Sequence, residues 1–315
     1  MKIVMLDVKT LGDDIGFEEL EKLGELVTYD STAPDEVEGR IADCDVVVLN
    51  KIKLNSSNLT NAKNLKLICV TATGYDNIDV AYCAEHGIGV CNVVGYSTDS
   101  VAQLTVALAL ELVMRLPAYT DFVNSGAYTE SGIANRLEPC FYELSGKVWG
   151  IVGMGNIGKK VAKVAEAFGC KVICTKRTYE EGLDVVELAE LMQRSDVISV
   201  HLPLSDETKG VISKDMIALM KKDAVIVNVA RGAVIDEKAL AQAVEEGKIY
   251  AASDVYSVEP FGKDHPFYGI MGRDNFVLTP HMAWGAYEAR KRVVTEVAQN
   301  IIASTNGEIR SRVDK

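Results

Sequence analysis

The stretch KVWGIVGMGNIGKKVAKVAEAFG (147–169) decides how the rest of the chain is read. An apolar run ends in Gly153-Met154-Gly155-Asn156-Ile157-Gly158 and an amphipathic helical pattern follows, which is the context a dinucleotide fingerprint requires. Gly153 permits the tight turn, Gly155 lets the backbone approach a pyrophosphate, and Gly158 lets the helix pack closely on the strand. Asn156 and Ile157 fall in the first helical turn, whose N–H groups and positive dipole end suit phosphate.

Outward from this stretch, short apolar and β-branched runs alternate with helical patterns. The strand candidates are KIVML (2–6), DVVVLN (45–50), LKLICV (65–70), GIGVCNV (87–93), KVWGIVG (147–153), KVICTK (171–176), DVISVHLP (196–203), AVIVNVA (224–230), IYAASDVY (249–256) and NFVLTP (275–280). Runs apolar at nearly every position predict burial on both faces, as in parallel sheets covered by helices. The class is therefore α/β. About ten strands are many for one open sheet, so two doubly wound units are expected. DSVAQLTVALALELVMRLPA (99–118) reads as one long helix, apolar on most faces and placed where a connection buried between two domains would lie.

A chain of 315 residues fits two domains, and 48% hydrophobic residues supply a sizeable core. The formal net charge of −12 repels phosphate backbones and anionic lipid, so neither nucleic acid nor a membrane surface is an expected partner. MKIVMLDV charges too early for a signal peptide, and no apolar run approaches the roughly 20 residues of a membrane helix. The cysteines (44, 69, 83, 91, 140, 170 and 174) lack CxxC or metal-ligand spacing, and most lie in apolar runs. That pattern predicts buried thiols, a reducing cytoplasmic compartment and no metal site.

Cofactor preference is set where the strand after the fingerprint ends. An acidic residue there would bind the ribose 2′-OH of NAD. Here the strand ends Cys174-Thr175-Lys176-Arg177, and two cations suit a 2′-phosphate. NAD and NADP both remain open, with Lys176 and Arg177 leaning toward NADP.

Three further residues follow strand candidates at the ends where ligands gather in open α/β sheets: Arg231 after AVIVNVA, Glu259 after AASDVYSV and His281 after FVLTP. Together with TATGYDNIDV (71–80), NVVGYSTDSVAQ (92–103), HLPLSDETKGVIS (201–213) and NVARGAVIDEKAL (228–240), they give the chain its resemblance to the D-2-hydroxyacid dehydrogenase family. The likeness runs over nearly the whole length. NVVGYSTDSVAQ and the His-Met-Ala-Trp ending most resemble glycerate dehydrogenases, also called hydroxypyruvate reductases. Gln103, where many members carry Glu, fits that subgroup.

The resemblance implies that Arg231, Glu259 and His281 are catalytic. Arg231 would bind the carboxylate of a 2-oxo acid, His281 would exchange a proton with the ketone oxygen, and Glu259 would hold the imidazole. It implies that the loop of Thr73 and Gly74 binds the substrate carboxylate, with Lys51 a candidate for the substrate's own side chain. On the cofactor side it implies Asp254 at the nicotinamide carboxamide, the His201-Leu202-Pro203 loop, and Thr105, Val229 and Ala230. It further implies a Rossmann cofactor domain (99–284) inserted in a flavodoxin-like substrate domain (1–98 and 285–315), with the site in the cleft between them. A homodimer follows, with 122–146 as a candidate arm. The expected reaction is reduction of hydroxypyruvate or glyoxylate to D-glycerate or glycolate. Reduction of pyruvate or a bulkier 2-oxo acid is the alternative, and a non-catalytic dinucleotide sensor the alternative of another class.

Overall fold

In a computed structural model, which describes residues 1–178 and 180–315, the chain divides into two compact units. The first comprises Met1–Ser97 with Gly285–Lys315, the second Thr98–Trp284.

The first unit holds strands β1 (Lys2–Met5), β2 (Glu25–Thr28), β3 (Val46–Leu49), β4 (Leu67–Val70) and β5 (Gly89–Cys91). They form one parallel sheet in the order β2-β1-β3-β4-β5, the flavodoxin-like arrangement. The central strands β3 and β4 are buried at every position, as continuous apolar runs require. The ten strand candidates omit β2. Its sequence ELVT is exposed or half-buried throughout, because it lies on the sheet edge with no apolar run to betray it.

The chain returns to this unit through the helix Tyr287–Thr305, which buries Val293, Val294, Val297 and Ile301. The last residues then run antiparallel beside β5. Val313 N–H donates to the Val90 carbonyl, Asn92 N–H donates to the Ser311 carbonyl, and Cys91 bridges Arg312. This tail covers an edge that would otherwise present unpaired backbone groups.

The second unit holds β6 (Val148–Val152), β7 (Lys171–Thr175), β8 (Val197–Val200), β9 (Val225–Asn228), β10 (Tyr250–Ser253) and β11 (Phe276–Leu278). All are parallel, in the order β11-β10-β9-β8-β6-β7. A single parallel bridge from Cys174 to Val185 extends the β7 edge. With that bridge in third place, the order is the doubly wound Rossmann pattern. Alternate strand residues feed two cores: Val152, Ile198, Val200 and Ile226 on one face, Ile151, Val197, Val225 and Val227 on the other. Each such side chain contributes about 1.5–3 kcal/mol on burial, so the two-faced pattern needs helices on both sides.

The expected single helix over 99–118 is two. Thr98–Met114 ends at Arg115, whose φ of 56° is left-handed, and Leu116–Asn124 restarts with Pro117 in its first turn. In a continuous helix Pro117 would lack its N–H bond and its ring would clash with the Val113 carbonyl, whereas a first turn tolerates it, so the break falls just before it. The buried residues of the first helix, Val101, Ala102, Leu108, Ala109 and Leu112, join the core of the second unit. Its apolar character is thus explained by its own sheet. Among the described residues no single helix is long and apolar enough to cross a membrane.

Candidate active site

In the second unit the fingerprint turn sits at the topological switch point, where chain connections leave β6 and β8 in opposite directions. Gly153 has φ 100°, a left-handed conformation that disfavours any side chain. A Cβ on Gly158 would stand 2.5 Å from the Gly153 carbonyl oxygen, so only glycine allows this helix to approach its strand. A Cβ on Gly155 would meet no atom within 4 Å. Gly155 is the N-cap of Asn156–Ala167 and supplies no side-chain cap, so the first N–H groups at Asn156 and Ile157 remain for an anion. An open approach, a bare helix N-terminus and forced glycines fit a dinucleotide pyrophosphate.

Beyond β7 the charges differ from the expectation. Lys176 is not a free cation: Glu180 folds back and pairs with both Lys176 and Lys159, the latter at 2.6 Å. Those two lysines hold the Glu180 carboxyl at about 2, well below the usual carboxylate range. A carboxylate is therefore present at this strand end, supplied from four residues further along the chain. Arg177 is the loosely held cation, its side chain 88% exposed and 3.8 Å from Glu207.

The three catalytic candidates all belong to the second unit. Arg231 follows β9, and one Nη1 donates to the Ala230 carbonyl at 2.8 Å. Among the described residues no carboxylate lies within ion-pair distance of its guanidinium, so its fork can accept one. Asn228 braces this strand end, accepting from Ala230 N–H and donating to the Arg231 carbonyl, both at 3.0 Å. Glu259 Oε2 meets His281 Nδ1 at 2.6 Å, and Oε1 accepts from Tyr256 N–H at 3.0 Å. Glu259 thereby fixes Nδ1 as the donor in the hydrogen-bond network and leaves Nε2 as the nitrogen not engaged by Glu259.

His281 has φ 52°, a left-handed backbone that costs on the order of 1–2 kcal/mol. Asp254, fully buried after β10, holds it there. Its Oδ1 accepts from Thr279 Oγ1 at 2.6 Å and Met282 N–H at 2.9 Å, and its Oδ2 from Ala283 N–H at 2.9 Å. Burial pushes the Asp254 carboxyl up, and these three donors oppose the rise. The resemblance implies Asp254 at the nicotinamide; what the structure shows is this clamp on the His281 loop, which no local sequence signal carries because the donors come from another strand end.

Val229 and Ala230 are buried beside Arg231. Thr105 is fully buried, and its hydroxyl donates to the Val101 carbonyl at 2.7 Å, so it braces the first helix from within. The His201-Leu202-Pro203 loop follows β8, and the His201 carbonyl lies 3.0 Å from where a Gly153 Cβ would stand. Trp149 Nε1–H donates to Ser199 Oγ at 3.0 Å, and Ser199 Oγ meets His201 Nε2 at 3.0 Å. That leaves Nδ1 buried and without a partner among the described residues.

In the first unit, Asp7 and Asn50-Lys51 follow β1 and β3, which flank the switch point of that sheet. Asp7 is buried and accepts from the N–H groups of Asn50 and Lys51, the latter at 2.7 Å. Lys51 itself is exposed and, among the described residues, makes no ion pair. The loop after β4 carries Thr73 and Gly74. Thr73 Oγ1 donates to the Val93 carbonyl at 2.8 Å, and Asn92 Nδ2 donates to the Thr73 carbonyl at 2.8 Å. The loop is held from both sides, while the N–H groups of Thr73 and Gly74 have no acceptor among the described residues.

Two doubly wound sheets, a dinucleotide turn and a braced His–Glu pair beside an unpaired Arg define a nicotinamide-dependent oxidoreductase. The profile of the D-isomer specific 2-hydroxyacid dehydrogenase NAD binding domain matches residues 106–283. The chain is 37% identical to a hydroxypyruvate reductase of Blautia hydrogenotrophica over 96% of both chains. It is 33% identical to a glycerate dehydrogenase of Methylorubrum extorquens over 99% of both. Among solved structures, D-lactate dehydrogenase from Aquifex aeolicus, complexed with NAD and lactic acid, superposes with a TM-score of 0.87 at 29% identity, covering 100% of this chain and 99% of that one. The chain belongs to the D-isomer specific 2-hydroxyacid dehydrogenase family, and it is an NAD(P)-dependent enzyme of that family.

One pH effect follows from His201. Burial pushes its imidazole down to about 3, so it stays neutral in the folded protein. The unfolded ring takes up a proton below about pH 6.5, which the folded ring refuses, so this residue lowers stability as pH falls from 6.5 toward 3. The His201 Hε1 resonance is expected to be invariant between pH 8 and 5. A titration midpoint near 6.5 would contradict the buried, neutral assignment.

Proposed function

We propose that the enzyme reduces hydroxypyruvate or glyoxylate to D-glycerate or glycolate, with Arg231, Glu259 and His281 as the reacting set. The observation that carries this reading is the 2.6 Å His281 Nδ1–Glu259 pair, which leaves Nε2 for a substrate, at strand ends adjacent to that of the unpaired Arg231. Its kinship with the two named relatives supports the substrate. A 2-oxo acid presents a carboxylate beside a ketone. The guanidinium of Arg231 takes the carboxylate through parallel N–H donors and polarises the ketone oxygen. By the same kinship, the N–H groups of Thr73 and Gly74 in the first unit, without an acceptor among the described residues, suit a carboxylate, and exposed Lys51 suits a polar substrate side chain. His281 Nε2–H gives its proton to the ketone oxygen as the carbonyl carbon is reduced, and takes it back in the oxidative direction. Glu259 stabilises the imidazolium and fixes its orientation.

When bound, the nicotinamide supplies or accepts the hydride. Gly153, Gly155, Asn156, Ile157 and Gly158 would hold the pyrophosphate, and the 201–203 loop, Val229, Ala230 and Asp254 would flank the rest. The proposed preference for NADP rests on exposed Arg177, since Glu180 neutralises Lys176.

Absorbance loss at the reduced-nicotinamide band, with hydroxypyruvate and in parallel NADH and NADPH, tests the reading. Rapid oxidation with a preference for NADPH is expected. Arg177→Ala should then raise KM for NADPH by roughly tenfold, the value of about 1.4 kcal/mol, and leave NADH nearly unchanged. Equal effects on both cofactors would remove the preference for NADP, and inactivity with hydroxypyruvate and glyoxylate would remove the substrate.

A homodimer completes the proposal. The segment 122–146 exposes Val123, Tyr128, Ile133, Leu137, Phe141 and Tyr142, with Leu137 73% exposed. So many apolar side chains on one short segment favour a covered surface. Light scattering should give about twice 34.2 kDa, and a monomer at micromolar concentration would refute it.

A further inference from the structure

The motif NVARGAVIDEKAL contains a glutamate that the reaction just described does not use. Glu237 opens the helix Glu237–Glu245, where a carboxylate near the N-terminus is ordinarily a solvated partner of the helix dipole. Here its side chain is only 9% exposed and turns away from solvent. Oε1 accepts from Ser257 N–H at 2.9 Å, and Oε2 accepts from the Ser257 hydroxyl and from His265 Nε2 at 3.1 Å. His265 is 6% exposed, with its ring centroid 4.8 Å from that of Phe261 and 4.9 Å from that of Phe267. Its Nδ1 accepts from Phe267 N–H at 3.2 Å, which leaves the proton on Nε2, facing Glu237. An apolar surround strengthens such bonds and makes a missing one costly.

The Tyr256-Ser257 dipeptide held by this pair touches all three catalytic strand ends. Tyr256 N–H donates to Glu259 Oε1 at 3.0 Å. The Tyr256 hydroxyl reaches the Thr279 carbonyl at 2.8 Å, two residues before His281. Gly232, next to Arg231, lies so close that a Cβ there would stand 2.0 Å from the Tyr256 carbonyl carbon and 2.2 Å from Ser257 N. Arg231, Glu259 and His281 therefore share one junction, and Glu237 with His265 is its outer anchor. The geometry points to Glu237 as a positioning residue for the catalytic three, acting through Ser257 and never touching substrate or cofactor. This rests on the roles proposed above for those three residues.

The test compares Glu237→Ala, Glu237→Gln, Ser257→Ala and His281→Gln with the wild type. The substrate is whichever of hydroxypyruvate, glyoxylate and pyruvate the wild type reduces fastest. Reduced-cofactor fluorescence titration counts intact sites, so that kcat is read per bound cofactor. Glu237→Ala is expected to lower kcat by roughly ten- to a hundredfold, the scale of a misplacement near 1 Å, with cofactor Kd within about threefold of wild type. Glu237→Gln keeps the acceptor for Ser257 N–H, so it should recover part of that loss. Ser257→Ala, which removes only the hydroxyl donor of an exposed residue, should lower kcat by about two- to fivefold. It decides the matter if Glu237→Ala fails to bind cofactor. A kcat per bound cofactor within about twofold of wild type in Glu237→Ala, or in Ser257→Ala where that variant decides, would overturn the inference. Should His281→Gln retain turnover, the catalytic assignment itself falls, and the two failures are thereby distinguished.

Discussion

The carboxylate of Asp254 makes two neighbouring strand ends behave as one piece. It is fully buried at the end of β10, and its donors Thr279, Met282 and Ala283 all follow β11. A buried carboxylate without partners would be strongly destabilising, and these three donors offset that cost. They clamp the backbone on both sides of His281, which sits in a conformation that only glycine adopts cheaply. Strain of this kind persists where the surroundings over-determine it. The imidazole is thus aimed by the main chain before Glu259 touches it.

Glu259 completes the arrangement from the opposite direction. One oxygen reaches His281 and the other reaches its own loop through Tyr256 N–H, so the ring and the loop are fixed relative to each other. Acid–base exchange at a ketone oxygen needs a nitrogen placed to a fraction of an ångström, and side chains braced by further hydrogen bonds supply that. The parallel sheet contributes the rest. Arg231, Glu259 and His281 follow β9, β10 and β11, three adjacent strands, and so emerge along one edge. The fingerprint turn follows β6 on the same sheet.

What the sequence reveals of this arrangement is its repeating part. Apolar runs such as DVISVHLP and AVIVNVA announce buried parallel strands, and the glycines of 153–158 announce the dinucleotide turn, because burial and backbone freedom are local constraints. The edge strand ELVT stays hidden since an edge needs no apolar run. The break at Arg115 was signalled only by Pro117, and the long apolar pattern outweighed it. At the site, Arg231, Glu259 and His281 stand after strand candidates, but only the family resemblance singles them out as a set. The pairing of Glu180 with Lys159 and Lys176, and the contacts of Asp254 and Glu237 with donors 25 and 20 residues away, exist only in the folded chain.

The 2.6 Å contact predicts that Glu259 and His281 act as a unit, and a double-mutant cycle on kcat tests this most directly. Glu259→Gln and His281→Gln are measured singly and together under saturating cofactor. If Glu259 works through the imidazole, the double variant should be about as slow as His281→Gln alone. Losses that multiply in the double variant would show two independent contributions and contradict the account.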